Sequence, residues 1–169
     1  PTEYKYSYGY QNWYPSVEKE TKNTKKNVGL FDLSPFSKFD LIGEKSFEEL
    51  QKICTANIKS NPGKTTYTQI LNKDGGIEID CTVVCLEKNF FRIISSAATR
   101  ERDKFFISKN ISNEVELKDV TDDYCCLGLF GPKSRDLLSK ISIENYSNES
   151  FKFGSGKYVN INDIKVWVQ

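Results

Sequence analysis

A chain of 169 residues fits one ordinary domain, or one and part of a second, and can bury a substantial core without disulfide staples. With 24 basic against 23 acidic residues the net charge is +1, so no global field favours nucleic acid, a membrane surface or a strongly acidic partner. The 38% hydrophobic and 13% aromatic content describes a folded globule, no apolar run approaches the ~18 residues of a membrane span, and the absence of histidine excludes any triad that needs an imidazole base within this chain.

Residues 1–14 are rich in tyrosine, lack a helical or strand period and start without methionine, so they read as an arm cut from a longer chain whose aromatics cover a groove. Residues 16–27 predict a polar helix capped by Ser16 and stopped by Gly29, its charges a solvated face. A strand over 37–42 leads through Gly43 into Ser46-Phe47-Glu48-Glu49, a capping-box pattern opening a helix with Phe47, Leu50, Ile53 and Cys54 on one face. At 61–66, NPGKTT imitates the end of a phosphate loop, but Ile58 stands where the first glycine belongs and a strand follows, so a turn is expected.

Tyr67, Gln69 and Leu71 alternate on a short strand, and Gly75-Gly76 permits positive φ and close backbone approach. The strongest hairpin signal comes next. Asp80, Thr82, Val84 and Leu86 share one strand face and Cys81, Val83 and Cys85 the other, before a second run over 90–96. A three-residue loop, Glu87-Lys88-Asn89, with Asn89 left-handed, pairs Leu86 with Phe90 and sets Asp80 opposite Ser96, with Cβ atoms about 5 Å apart.

Thr99 predicts the cap of a helix running to Ser108 and carrying Phe105, Phe106 and Ile107. Strands over 115–120 and 124–130 then turn around Asp122-Asp123, and Pro132 starts a helix with Leu137, Leu138 and Ile141 inward. Residues 142–150 read as loop, and 157–169 as a hairpin turned at Asn162-Asp163. Gly154-Ser155-Gly156 fails as a dinucleotide fingerprint, having Val159 where the third glycine belongs, so no FAD or NAD site is expected here. Five cysteines without framework spacing favour free thiols in a reducing compartment, and the sequons at Asn110, Asn145 and Asn148 are expected to be idle. Cys81 and Cys85 lie ~13 Å apart on one strand face, too far to share an ion, so no metal is expected. The order of elements, without a regular crossover repeat, predicts an α+β fold of mixed, mainly antiparallel sheet.

Five blocks carry a resemblance: YGYQNWY at 8–14, NVGLFDLSPFSKFDLIG at 27–43, CTANI at 54–58, YTQILNKDGGIEID with TVVCL and FFRIISSAAT at 67–99, and GLFGPKSRDLLSKIS at 128–142. Together they resemble the aminomethyltransferase (glycine cleavage T-protein) superfamily of tetrahydrofolate-binding proteins. The combination of GGIEID with SSAAT is most similar to the folate-binding part of dimethylglycine and sarcosine dehydrogenases. The resemblance implies ferredoxin-like halves, an arm with polar helix over 1–28, and a folate-binding domain over 29–169 truncated before a later glutamate-bearing motif, so that the piece alone is expected to be inactive.

It also implies roles. The family's catalytic aspartate matches Asp80, a folate-contacting aromatic matches Tyr67, and Ile94 and Ser96 match positions lining the pterin pocket. Many of the transferases have asparagine where Ser96 stands, which favours the dehydrogenase-linked reading over a stand-alone glycine-cleavage aminomethyltransferase or a folate-binding scaffold without chemistry. The cofactor implied is tetrahydrofolate, with FAD only on a separate upstream domain. Implied partners are an amine-derived one-carbon donor and either that FAD oxidoreductase domain or a lipoyl carrier protein, in the cytoplasm or the mitochondrial matrix. From the residues alone, Asp80 also reads as an acid flanking the Gly-Gly turn, and Tyr67 as an ordinary strand aromatic.

Overall fold

The computed structural model describes residues 2–169. Helix α1 (Tyr14–Lys26) begins at Trp13 with Pro15 in its first turn, where a missing N–H costs nothing, so Ser16, expected as the cap, already lies inside it. The arm packs on this helix start. Tyr4 and Tyr6 meet Trp13 edge-on, both with ring centroids 5.1 Å away, and Tyr10 stacks on Tyr14 at 4.1 Å, so the arm's aromatics cover α1 and no groove.

Strands β1 (Gly29–Asp32) and β2 (Ser37–Ile42) precede helix α2 (Ser46–Ile53), followed by β3 (Thr65–Leu71), β4 (Ile77–Glu87), β5 (Phe90–Ser95), α3 (Arg100–Asn110), β6 (Glu116–Asp119), β7 (Leu127–Phe130), α4 (Ser134–Ile141), β8 (Lys157–Ile161) and β9 (Ile164–Val168). Five strands form one sheet in the order β3-β4-β5-β2-β6, every neighbour antiparallel. Strands β1 and β7 make a second sheet and β8 and β9 a third, their turn at Asn162 as expected. This is the expected α+β class.

Alternation decides which sheet face is core. Ile79, Cys81, Val83 and Cys85 of β4, Phe91 and Ile93 of β5 and Phe39 and Leu41 of β2 are all at most 3% exposed, packed with Leu50 of α2 and Ile107 of α3. Burying one such aliphatic or aromatic side chain is worth roughly 1.5–3 kcal/mol, so this layer dominates folding. The other face of β2 is polar yet also buried. There the Asp40 carboxylate accepts two hydrogen bonds from Arg92, from Nε at 2.7 Å and Nη2 at 2.9 Å, and the guanidinium lies 4.0 Å from the Tyr124 ring centroid.

The hairpin β4–β5 turns on two residues, Lys88-Asn89, one fewer than expected, with Asn89 at φ 61°. An extra residue at Leu86 bulges the ladder and restores the register, so Thr82 falls opposite Ile94 as the longer loop would have placed it.

Three other expectations give way to tertiary contacts. Ser46 is the first helical residue and not the cap of α2, its hydroxyl is buried without a partner, and Glu49 turns to the Ser112 amide at 3.1 Å and Lys52 at 2.6 Å. Residues 115–120 and 124–130 do not form a hairpin, because β6 joins β2 while β7 joins β1. Pro132 precedes α4 and does not open it: Gly131, at φ 122°, sits where a Cβ would come within 2.5 Å of the Asn27 and Thr24 carbonyl oxygens, and the Lys133 amide donates to Asn27 at 3.0 Å. Leu137 and Ile141 are correspondingly about 40% exposed.

Arg100 accounts for the departure after β6. Its Nε donates to Asp119 at 2.8 Å and its Nη2 to Asp122 at 2.9 Å, drawing residues 121–123 into a 3-10 turn against the start of α3. Burial opposes ionisation of Asp119, but Arg100 and the Thr121 hydroxyl and amide overcome it and hold the carboxyl at about 2. A lowered carboxyl pKa stabilises the fold above its unfolded value near 3.9 and loses that contribution as pH falls toward 2. Urea midpoints measured from pH 4.5 to 2 should therefore fall less steeply in Asp119→Asn than in wild type; parallel curves would rule this pair out as an acid-sensitive contact.

Candidate functional site

The sheet face turned away from α2 and α3 carries an open cleft of about 480 Å³ over strands β3, β4 and β5. Its floor follows from the period of β4. With Ile79, Cys81 and Val83 committed to the core, Asp80 and Thr82 must face outward, and antiparallel pairing sets Gln69 of β3 opposite Asp80 and Tyr67 opposite Thr82. Thr82 has Ile94 of β5 on its other side. Tyr67, Asp80, Ile94 and Ser96, drawn from three segments of sequence, all line this cleft.

Gln69 Nε2 donates to Asp80 Oδ1 at 2.8 Å, fixing the carboxylate beside the diagonal Tyr67. Hydrogen bonding toward the Asp80 carboxylate, with a smaller contribution from burial, holds the Tyr67 phenol above its ordinary range, so it stays a neutral donor. Asp80 itself is exposed in this open cleft. Ser96 is extended at φ −62° and ψ 138°, with Oγ accepting from the Ala98 amide at 3.3 Å and its carbonyl from Ser37 Oγ at 2.9 Å. Its hydroxyl is thus engaged in starting the turn into α3.

Three further residues line the cleft without a motif that marks them. Phe36, 40% exposed, stands on the β2 side. Thr82, which strand alternation puts on the face of Asp80, lies on the floor opposite Tyr67. Arg102 reaches from α3 to donate to the Glu78 carbonyl and lies 3.5 Å from Asp103, whose buried carboxylate accepts from Ser95 and Thr99 hydroxyls, both at 2.8 Å. Thr99, expected to cap α3 with its side chain, spends its hydroxyl on this bond. Asp103 thus holds the 95–103 wall of the cleft together and Arg102 ties it to β4.

A larger shallow depression of about 670 Å³ lies between α4 and residues 143–149, where Arg135 is already taken by the carbonyls of Tyr146 and Phe151. Burial pushes the Cys54 thiol up to about 12 and raises that of Cys81 too, so these two are poorly nucleophilic. Among the described residues no three Cys, Asp or Glu side chains are placed to hold a metal, and no helix is long and apolar enough to cross a membrane.

Residues 1–169 match the family profile described as GCVT N-terminal domain. The chain is 37% identical over 161 residues to the 4-methylaminobutanoate oxidase (formaldehyde-forming) of Paenarthrobacter nicotinovorans, covering 95% of this chain and 20% of that protein. It is 32% identical over 168 residues to the mitochondrial dimethylglycine dehydrogenase of Rattus norvegicus, covering 98% of this chain and 20% of that one. The chain thus spans about a fifth of the length of these relatives. Among solved structures it superposes on the glycine cleavage system aminomethyltransferase T of Bartonella henselae with a TM-score of 0.74 at 21% identity, over 91% of this chain and 43% of that one, a likeness of fold.

Proposed function

The chain belongs to the GCVT N-terminal domain family, and from that premise we propose that it is the tetrahydrofolate-dependent one-carbon transfer module of a dimethylglycine or sarcosine dehydrogenase-like enzyme. The observation that carries the reading is Asp80, a carboxylate held by Gln69 beside the Tyr67 phenol on the floor of a cleft. The residues present fit a flat, polar ring system: the cleft volume is within the usual range for small-ligand sites, Tyr67 and Phe36 supply aromatic wall, and Asp80 and Thr82 supply polar contacts. Tetrahydrofolate, when bound, supplies the nitrogen that accepts the one-carbon unit.

The chain's own part is electrostatic. Asp80 opposes positive charge developing beside it, and because Gln69 fixes one oxygen in advance, little reorganisation is needed as that charge appears. Asp80 also takes up a proton released at the same place, its solvent contact returning it to bulk. FAD has no place in this reading except on a separate upstream domain, which would generate the one-carbon unit from a methylated amine. The two relatives named above, an oxidase and a dehydrogenase, support this arrangement over a lipoyl carrier protein as partner.

Calorimetric titration of the polypeptide carrying this domain with tetrahydrofolate tests the reading. Saturable binding is expected, weakened about tenfold in Tyr67→Ala, since an aromatic contact worth roughly 1 kcal/mol beyond its area nears a factor of ten. No binding by wild type would end the proposal, and an unchanged Kd in Tyr67→Ala would remove Tyr67 from the site.

A further inference from the structure

Strand β2 carries a lysine where an aliphatic residue belongs. Lys38 is 3% exposed, and among the described residues its ammonium forms no ion pair with a carboxylate. Instead Nζ donates to three backbone carbonyls, Ser34 at 2.9 Å, Phe36 at 2.8 Å and Thr121 at 3.1 Å, which satisfies all three of its N–H groups. A buried charge held only by carbonyls is a costly choice, since a well-packed aliphatic side chain would fill the position without desolvating an ion. What the ammonium gains is geometry: it draws the loop before β2 and the turn after β6 onto one point.

That point lies beside the cleft, on the same face of the sheet. Lys38 pairs across the sheet with Ile94, a cleft residue, and the carbonyl it grips at 2.8 Å belongs to Phe36, the aromatic on the β2 side of the cleft. Tyr67 stands on the far side, three strand spacings or about 14 Å of backbone away, with β4 and β5 as floor between. The same loop has four other bonds, none of them to the five-stranded sheet: the Leu33 amide to the Cys126 carbonyl at 2.8 Å, the Ser34 amide to Asp32 Oδ1 at 2.9 Å, the Phe36 amide to the Leu33 carbonyl at 3.0 Å and Ser34 Oγ accepting from the Cys126 amide at 3.1 Å. Without Lys38, the segment bearing Phe36 has no bond to the five-stranded sheet until Ser37.

We infer that Lys38 is a positioning residue of the cleft: its buried ammonium, by gripping the Ser34, Phe36 and Thr121 carbonyls, fixes Phe36 as the wall against which a planar ligand packs. The inference rests on the one-carbon transfer reading for the identity of that ligand, but not for the existence of the clamp.

The experiment therefore has two arms, run on the polypeptide that carries this domain. In the first, backbone amide hydrogen exchange is followed by mass spectrometry in wild type and Lys38→Met. Exchange over residues 33–37 should speed up by about tenfold or more while Val83 and Ile93 stay protected, and unchanged exchange in the loop would overturn the inference whatever the protein binds. In the second, tetrahydrofolate is titrated into wild type, Lys38→Met, Phe36→Ala and the double variant. Each single change should weaken binding about tenfold, and the double variant should be no weaker than Phe36→Ala alone; independent, multiplying losses would mean that Lys38 acts on stability and not through Phe36. If wild type fails to bind tetrahydrofolate, the functional reading falls while the exchange arm still decides the clamp. Should Lys38→Met not fold, Lys38→Gln, which offers two amide N–H donors in place of three ammonium ones, serves in both arms with a smaller expected effect.

Discussion

Replacing Asp80 by asparagine should lower one-carbon transfer to tetrahydrofolate by about 10²-fold or more while leaving its affinity within a few-fold of wild type, the scale of removing one pre-organised charge or general base. Asparagine keeps the shape and a carbonyl oxygen for the Gln69 amide, now 2.8 Å from Asp80, but cannot oppose a cationic nitrogen, so the loss belongs to the transition state. In a parent with an amine-oxidising flavin domain, oxidation should continue and the one-carbon unit should escape as formaldehyde. The measurement is the ratio of methylene-tetrahydrofolate to formaldehyde. A second signature is optical. Since Asp80 holds the Tyr67 phenol up, the variant should ionise Tyr67 at lower pH, nearer its ordinary value of about 10, in an ultraviolet titration. An unchanged product ratio would make Asp80 structural.

The largest effect on stability is expected from Arg92→Ala. The Asp40–Arg92 pair is bidentate, with side chains 7% and 12% exposed, and removing the guanidinium strands a buried carboxylate at a cost of about 3–5 kcal/mol. For a chain of this size that lowers Tm by roughly 10 °C. Replacing both partners, as in Asp40→Leu with Arg92→Met, should recover most of the loss, because it is the unpaired charge that is costly. Chemical denaturation of the three variants checks this, and a loss below about 1 kcal/mol in Arg92→Ala would contradict it.

Why some of this could be read from the chain and some could not is plain at particular residues. Strand β4 was legible because one of its faces is committed to core while Asp80 and Thr82 interrupt the other, and the glycine pair before it marks the turn. The pairing of β4 with β5 followed from their short connection. Strand β1 was not legible, since four residues carry little period, and neither was the partner of β7, a strand expected within 124–130 that pairs with β1 across about a hundred residues of chain. Capping signals at Ser16 and Ser46 were local patterns overruled by Pro15 and by the bond of Glu49 to Ser112. Of the candidate site, Asp80, Tyr67, Ile94 and Ser96 came from motif resemblance, and the fold gathers them. Phe36, Arg102 and Lys38 enter through strand order and helix placement, which no short window encodes. A signal for Lys38 did exist, as a lysine within a strand whose neighbours Phe39 and Leu41 are fully buried.

The position of β2 in the sheet has a consequence for synthesis. It is made early, yet both of its partners, β5 and β6, come later, the nearer about 50 residues downstream. At typical translation rates of ~5–20 residues per second, Phe39 and Leu41 emerge from the ribosome several seconds before anything exists to cover them. The hairpin β4–β5, by contrast, closes on itself within microseconds of emerging. The nascent chain should therefore build its sheet outward from the hairpin and receive β2 last but one, with β6 completing the edge. During that interval the apolar side of β2 is the segment a chaperone would find, and slower decoding between residues 43 and 90 would lengthen its exposure.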